Sequence, residues 1–262
     1  MNELCKKIRS EILTISHKSG HGHIPTSFSI VELLCAVYQT MRHDPKRPDM
    51  PDRDLFVLSK GHASLGFYCV LAGHDYFGFE DVYAFGAFDS RFGCHPDRTK
   101  VPGVEASTGS LGHGIGLAVG MALAAKIAGT SRHVYSLIGD GESNEGTVWE
   151  AIMVATNLKL DNLTVLYDHN HSQGRCLPIP NPGERFRAFG CHVIEADGHD
   201  LDALKQALAS PVERDRIRVV VGNTVKGYGC TTLAGNMYEW HRRSPKAEEL
   251  NKLMGELNAG AV

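Results

Sequence analysis

The sequence predicts an α/β fold, a mostly parallel sheet with helices on both faces, and three observations predict it. Short apolar runs of strand length alternate with segments of helical periodicity. One stretch, Val134–Tyr167, reads as a complete strand-helix-strand unit, the building block of a parallel sheet. Several apolar runs end in loops rich in Gly, His, Asp and Asn. In an open sheet such loops gather at the carboxyl edge, where ligands bind.

In chain order, Leu4, Ile8, Ile12 and Ile15 recur at helical spacing with charges between them, which predicts a helix over Leu4–Ser16 rather than a secretory leader. Helical patterns follow at Ile30–Met41 and Ala63–Ala72, with a strand-like Leu55–Leu58 between them. A helical pattern at Gly114–Ala128 overlaps the longest apolar stretch, Gly116–Gly129, which is too short to span a bilayer and carries Lys126, so it is expected as a buried helix. Beyond the strand-helix-strand unit come a strand at His192–Glu195, a helix near Leu201–Leu208, a strand at Ile217–Val221 and a last helix at Ala247–Leu257. The irregular stretches Asp44–Asp54, Phe85–Thr108 and Asp168–Glu184 are longer than most connections, and loops of that length are often functional. No repeat, low-complexity tract or composition shift divides the chain, so residues 1–262 are expected to form a single domain.

Composition narrows the function. Net charge is −3 and Lys and Arg are scattered, which argues against a nucleic-acid or membrane surface. The seven cysteines are widely spaced, odd in number and without a CxxC, a usage that fits a reducing cytoplasm.

The chemistry concentrates between His133 and Ser172. An apolar strand runs into Gly139-Asp140-Gly141, and a second, Leu163–Tyr167, runs into Asp168-His169-Asn170. Neighbouring parallel strands bring Asp140 and Asn170 together across thirty positions. One carboxylate, one amide oxygen and a backbone carbonyl make a hard, oxygen-only set suited to Mg²⁺, with positions left open for phosphate oxygens. The glycines flanking Asp140 allow a close backbone approach. A GDG followed about thirty residues later by Asn, with this strand-helix-strand context, resembles the thiamine diphosphate-binding motif.

The chain has fourteen histidines, several of them in glycine-rich loops: Gly20-His21-Gly22-His23, Ser59-Lys60-Gly61-His62, Gly93-Cys94-His95 and Trp240-His241. Imidazole exchanges protons with hydroxyl and carbonyl oxygens near neutral pH and can donate to phosphate. A transition-metal site at His21 and His23, or at His169 and His171, lacks the helical spacing and nearby cysteines typical of zinc. The loop Thr108–Gly116 opens a small-residue helix but is spaced GxGxG, which does not match a dinucleotide fingerprint.

Together, GHIPTSFSIVELL, LFVLSKGHASLGFYCVLA, FGCHPD, TGSLGHGIGLAVGMALA, GDGESNEGTVWEA, DHNHSQG and TVKGYG with a downstream WH resemble the amino-terminal, diphosphate-binding part of transketolases. They run in family order over nearly the whole chain. The resemblance implies the thiamine diphosphate-binding fold and transfer of a two-carbon ketol unit from a ketose or ketose phosphate to an aldose. It implies that Asp140, Asn170 and the carbonyl of Ser172 hold Mg²⁺. It places the Gly141 amide, His62 and His241 against the diphosphate or thiazolium, and Gly139, Gly109, Ser110 and Leu111 along the cofactor. It turns His23, His62 and His95 to the sugar hydroxyls, with His241 beside them. Glu145 matches an acidic position used in a network across the subunit interface.

This sequence departs from the family pattern at His21, an extra histidine beside the position that register assigns to His23, and at Ser172, where an apolar residue is usual. It also departs at His113, often Gln, and at Arg242 and Arg243, where small residues are usual. Those two arginines suit either an anionic substrate group or a solvated charged turn. In the family the glutamate that polarises the aminopyrimidine, and the arginines that grip sugar phosphate, lie on a following pyrimidine-binding domain. The expectation is therefore one half of a split enzyme, assembled as α2β2 with a carboxy-terminal, pyrimidine-binding subunit. Two rivals remain: a subunit of another thiamine enzyme acting in acyloin or 2-oxoacid chemistry, and a non-catalytic relative.

Overall fold

The computed structural model describes residues 1–260; Ala261 and Val262 lie outside the described residues. The elements in order are α1 (Glu3–Ser19), α2 (Ile24–Ser29), α3 (Val31–Thr40), β1 (Leu55–Leu58), α4 (Ser64–Gly73), α5 (Phe79–Val82), α6 (His113–Ile127) and β2 (Val134–Gly139). They continue with α7 (Gly146–Asn157), β3 (Leu163–His169), α8 (Pro182–Ala188), β4 (His192–Asp197), α9 (Leu201–Ala209), β5 (Arg218–Asn223), α10 (Thr231–Gly235) and α11 (Ala247–Ala259).

The five strands form one sheet in the order β1-β2-β3-β5-β4, and every pairing is parallel. Alternate side chains of each strand feed two separate cores. Phe56, Tyr135, Leu137, Leu166 and Val220 join the core built with α1, α3, α4, α9 and α11. Leu55, Val57, Val134, Ile138, Val165, Tyr167, Val219 and Val221 join the core under α6, α7 and α8. A period of two along strands covered on both faces produces this division, and it explains the nearly unbroken apolar runs in the sequence.

Register carries the functional consequence. Gly139 at the end of β2 stands beside Asp168 of β3, and His169 stands beside Asn223 of β5. The residues that follow these three strand ends are therefore neighbours: Asp140, Asn170 and Thr224.

The structure amends the sequence reading at three places. The strand expected to stop at Tyr167 runs to His169, because Asp168 and His169 still pair with β5 on one side while Asp168 pairs with β2 on the other. A separate helix, α2, precedes the one expected from Ile30, with Pro25 in its first turn, where a missing N–H costs nothing. The helix expected to be buried, α6, is buried on one face only: Leu117 is 46% and Ile127 78% exposed.

Gly61 shows how tightly the loops at the carboxyl edge fit. A Cβ there would lie 2.7 Å from the carbonyl carbon of Thr108 and 2.8 Å from the amide nitrogen of Gly109. Gly61→Ala is expected to cost about 1–3 kcal/mol through overpacking against backbone. Urea denaturation measures it, and an unchanged midpoint would show that the two loops separate freely.

Candidate active site

The loops after β1, β2, β3 and β5 enclose a cleft of about 580 Å³, counting space open to solvent. Its walls include His62, Leu111, Gly139, Asp140, Gly141, Asn170, Ser172 and His241 among the residues expected from sequence. They also include Thr26, Lys60, Glu142, Gln173 and Lys226, to which the sequence reading gave no role.

Asp140 caps the end of β2. Its Oδ1 accepts from the Gly141 amide at 2.7 Å and from Ser172 Oγ at 2.5 Å. The Ser172 amide in turn donates to Asn170 Oδ1 at 3.1 Å, so Ser172 bridges the carboxylate and the amide oxygen. Asn170 is oriented from behind: its Nδ2 donates to Asp168 Oδ2 at 2.6 Å, which leaves Oδ1 on the side of Ser172. A Cβ on Gly141 would meet Gln173 Nε2 at 2.7 Å, so a side chain there would close the cradle. One carboxylate, one fixed amide oxygen and a glycine-lined backbone fit a hard divalent cation carrying phosphate oxygens.

Behind this set lies Asp168, fully buried, whose carboxylate accepts from Lys60 Nζ, from Ser29 Oγ at 2.8 Å and from Thr224 Oγ1. Burial pushes Asp168 up, but the Lys60 ammonium and the two hydroxyls outweigh it, and the group stays below the usual carboxylate value. Glu142 is the counterpart on the other wall. It accepts from Ser59 Oγ at 2.5 Å and from the amides of Gly112 at 3.0 Å and Gly139 at 3.2 Å. Burial raises its pKa, with those donors acting in the opposite direction.

Three histidines from distant segments meet at the mouth. The His23 ring lies 5.2 Å from those of His62 and His241, and His62 lies 6.1 Å from His241. His21 instead packs against Gly86, so the structure brings His23 and not His21 into the cluster. Burial, then Lys60, lowers His62 to about 2. Burial, then His241, lowers His23 to about 4; burial, then Lys226, lowers His241 to about 4. All three rings are neutral at pH 7 and present one donor and one acceptor each. Lys226 Nζ lies 3.3 Å from His241 Nδ1, and since ammonium only donates, Nδ1 is the acceptor. Burial, then Lys60, brings Lys226 down to about 8.

Gly109, Ser110, Glu145, His23 and His95 are not among the residues lining the cleft itself. Gly109 packs against the His95 ring, and Ser110 is exposed. Glu145 is exposed before α7, against Gly112. Among the residues without an assigned role, Lys60 and Lys226 had a signal available: each is a lysine beside a glycine just after a strand, inside a motif already singled out. Glu142 and Asp168 had none, because a buried acid is recognised only by its partners. The second arginine after His241, Arg243, lies over the Trp240 ring at 4.2 Å and pairs with Glu239 at 3.1 Å and with Glu249, which commits it to the turn.

The neutral histidines set a pH dependence. Their folded pKa values lie below the ordinary 6.5, so the unfolded chain binds protons first as pH falls. Their contribution to stability is therefore full above about pH 7 and is lost as pH falls from the unfolded value near 6.5 through the folded value near 4. Thermal unfolding at pH 7, 6, 5 and 4 should show the midpoint falling, and the slope should be shallower when His23, His62 and His241 are all replaced by Asn. Parallel slopes for the two proteins would contradict the assignment.

The chain matches a family model described as transketolase, thiamine diphosphate binding domain, over residues 1–258. It is 37% identical to a subunit of the apulose-4-phosphate transketolase of Actinobacillus succinogenes, over 98% of this chain and 95% of that protein. It is also 37% identical to a 6-deoxy-6-sulfo-D-fructose transketolase subunit of Clostridium sp. strain MSTE9, over 88% of this chain and 86% of that one. The fold superposes on transketolase from Campylobacter jejuni with a TM-score of 0.90 at 29% identity, over 98% of this chain and 43% of the other. The chain thus spans less than half the length of that solved enzyme. With a parallel sheet whose strand-end loops form this cleft, and with that match running through residue 258, the chain belongs to the transketolase family and carries its thiamine diphosphate binding domain.

Proposed function

We propose that this chain is the diphosphate- and Mg²⁺-binding subunit of a two-subunit transketolase, transferring a two-carbon ketol unit from a ketose or ketose phosphate to an aldose. The observation that carries the reading is the convergence of Asp140, Asn170 and Ser172 with Lys60, Lys226, His62 and His241 on one cleft at the carboxyl edge. Two relatives named as single subunits of apulose-4-phosphate transketolases match this chain over 95% and 92% of their own lengths, which supports the split arrangement.

In this reading Asp140, the Asn170 amide oxygen and the Ser172 carbonyl hold Mg²⁺, and the Gly141 amide, His62, His241 and Lys226 meet the diphosphate. Lys226 has no carboxylate partner among the described residues, and an anion beside it would restore full protonation. Gly109, Ser110, Leu111, Gly139 and Glu145 lie along the face shared by cofactor and partner. When bound, thiamine diphosphate supplies the electron sink for carbon–carbon cleavage beside a carbonyl. His23, His62 and His95 orient the sugar hydroxyls, the neutral rings of His23 and His62 each offering them one hydrogen-bond donor and one acceptor. Arg242, exposed and adjacent to His241, is available to an anionic sugar terminus, as Arg243 is not.

Residues 1–262 form, on this reading, one diphosphate-binding domain, supported by a single sheet sandwiched between two cores. The partner is a carboxy-terminal, pyrimidine-binding subunit, in an assembly with at least two copies of each chain. The outward face of α6 and α7 supports this: Leu117, Ile127, Met153, Val154 and Leu158 are large, apolar and exposed. A cytoplasmic location agrees with seven cysteines that are all free thiols. No helix among the described residues is long and apolar enough to cross a membrane.

Two measurements test the reading. Asp140→Ala should abolish Mg²⁺-dependent thiamine diphosphate binding, a loss of roughly a few kcal/mol for a charged ligand at a desolvated diphosphate. Calorimetry on the assembled complex with unchanged affinity would refute the metal assignment. The purified chain alone should show no ketol transfer with any ketose and aldose pair, and adding the partner subunit should restore it saturably. Full activity of the chain alone at dilution would overturn the split-enzyme reading.

A further inference from the structure

Lys226 sits on a loop with little regular structure, Thr224–Gly229, which leaves the sheet with the Thr224 amide donating to the His169 carbonyl at 3.2 Å; three further ties define its position in the cleft. Thr224 Oγ1 donates to Asp168. The Gly227 amide donates to the Pro25 carbonyl at 3.0 Å. Between them, the Val225 amide donates to His199 Nε2 at 2.8 Å. The first two are made by groups of the cleft and its neighbouring helix. The third comes from the other end of the sheet edge, after β4, and no motif in the sequence pointed to it.

His199 is held as firmly as it holds. Its side chain is 5% exposed, and its Nδ1 lies 3.1 Å from Glu32 Oε2. Glu32, 2% exposed, is clamped by Arg9 through two contacts of 2.6 Å. Burial opposes its ionisation, but Arg9 and then His199 hold it down at about 2. The imidazole also stacks on Tyr228 of the same loop, centroid to centroid at 3.6 Å with the rings within 7° of parallel. The chemistry of these partners fixes the tautomer. A backbone N–H can only donate, so Nε2 accepts; a carboxylate can only accept, so Nδ1 carries the proton.

We propose that His199 is a positioning residue: clamped through Glu32 to Arg9, its neutral ring fixes the Val225 amide and the Tyr228 ring and so sets Lys226 in the cleft. The proposal rests on the reading of Lys226 as a diphosphate contact. It assigns a role in cofactor binding to a residue that does not line the cleft, through a chain running from α1 and α3 across the β4 edge to the loop after β5.

The test is a double-mutant cycle on the assembled complex, with calorimetry of thiamine diphosphate and Mg²⁺ as the readout. Lys226→Met should weaken binding by roughly tenfold or more, the scale of one charge-assisted hydrogen bond. His199→Phe keeps a ring on Tyr228 but removes the acceptor, and should weaken binding to a similar degree. His199→Gln supplies an oxygen to the Val225 amide and should bind within about threefold of the wild type, less than half of that tenfold step in free energy. The double variant His199→Phe/Lys226→Met should bind no more weakly than Lys226→Met alone. Ring-nitrogen NMR of His199 at neutral pH should show a protonated Nδ1 and a bare Nε2. No loss with Lys226→Met removes the reading of Lys226 and the proposal with it. Loss with Lys226→Met but none with His199→Phe, additive losses in the double variant, or a protonated Nε2 would overturn the positioning role and leave Lys226 as a contact.

Discussion

Asp168 is the group on which the arrangement of the cleft depends. It is the second-last residue of β3, wholly enclosed, and four segments end on its carboxylate: Lys60 after β1, Ser29 of α2, Asn170 beyond β3 and Thr224 beyond β5. A carboxylate with this many donors stays ionised despite burial. The pair it makes with Lys60 is mutually required, since either charge left alone in that interior would be strongly destabilising. Fixing Asn170 Nδ2 also decides which way the amide oxygen faces, so a residue that touches no ligand determines which atom is offered to one.

Glu142 performs the matching function on the opposite wall. By accepting from Ser59, Gly112 and Gly139 it ties the glycine loop before α6 to the ends of β1 and β2. Ser59 passes the constraint on, because its Oγ accepts from the Ile115 amide at 2.9 Å in the first turn of α6. The cleft is thus bounded by two buried acids that organise backbone and by two lysines with unequal commitments. Lys60 is neutralised by Asp168, while Lys226 faces only an imidazole among the described residues. That imbalance is what makes the cleft receptive to a polyanion, while burial first, and neighbouring positive groups after it, keep the nearby histidines neutral.

The outer face of α6 and α7 explains a feature of the sequence that periodicity alone misleads on. Gly116, Gly120 and Ala124 are exposed on α6 together with Leu117 and Ile127, so apart from His113 and Lys126 near its ends apolar residues occupy its circumference. A helix apolar all round implies burial on all sides. Here the sheet covers one side, and the remaining side is open in the single chain.

Local pattern along the chain was enough for the α/β class, the parallel sheet, nearly every long helix, and the convergence of Asp140 with Asn170. Those follow from periodicity and from one rule about strand ends, both readable without long-range contacts. The family resemblance, not local pattern, pointed to His62, His241 and Ser172; His62 and Ser172 follow strand ends within a few residues, whereas His241 lies beyond α10 and reaches the cleft only through the fold. What depends on distant pairing emerged only from the folded arrangement. The order that inserts β5 between β3 and β4 places Thr224 on Asp168 and brings Lys226 into the cleft with Asp140. The protonation states of the histidines come from burial and from each other, and no spacing encodes them. Asp168, Glu142 and His199 matter through partners 26 to 167 positions away, contacts that exist only once the sheet has brought those segments together.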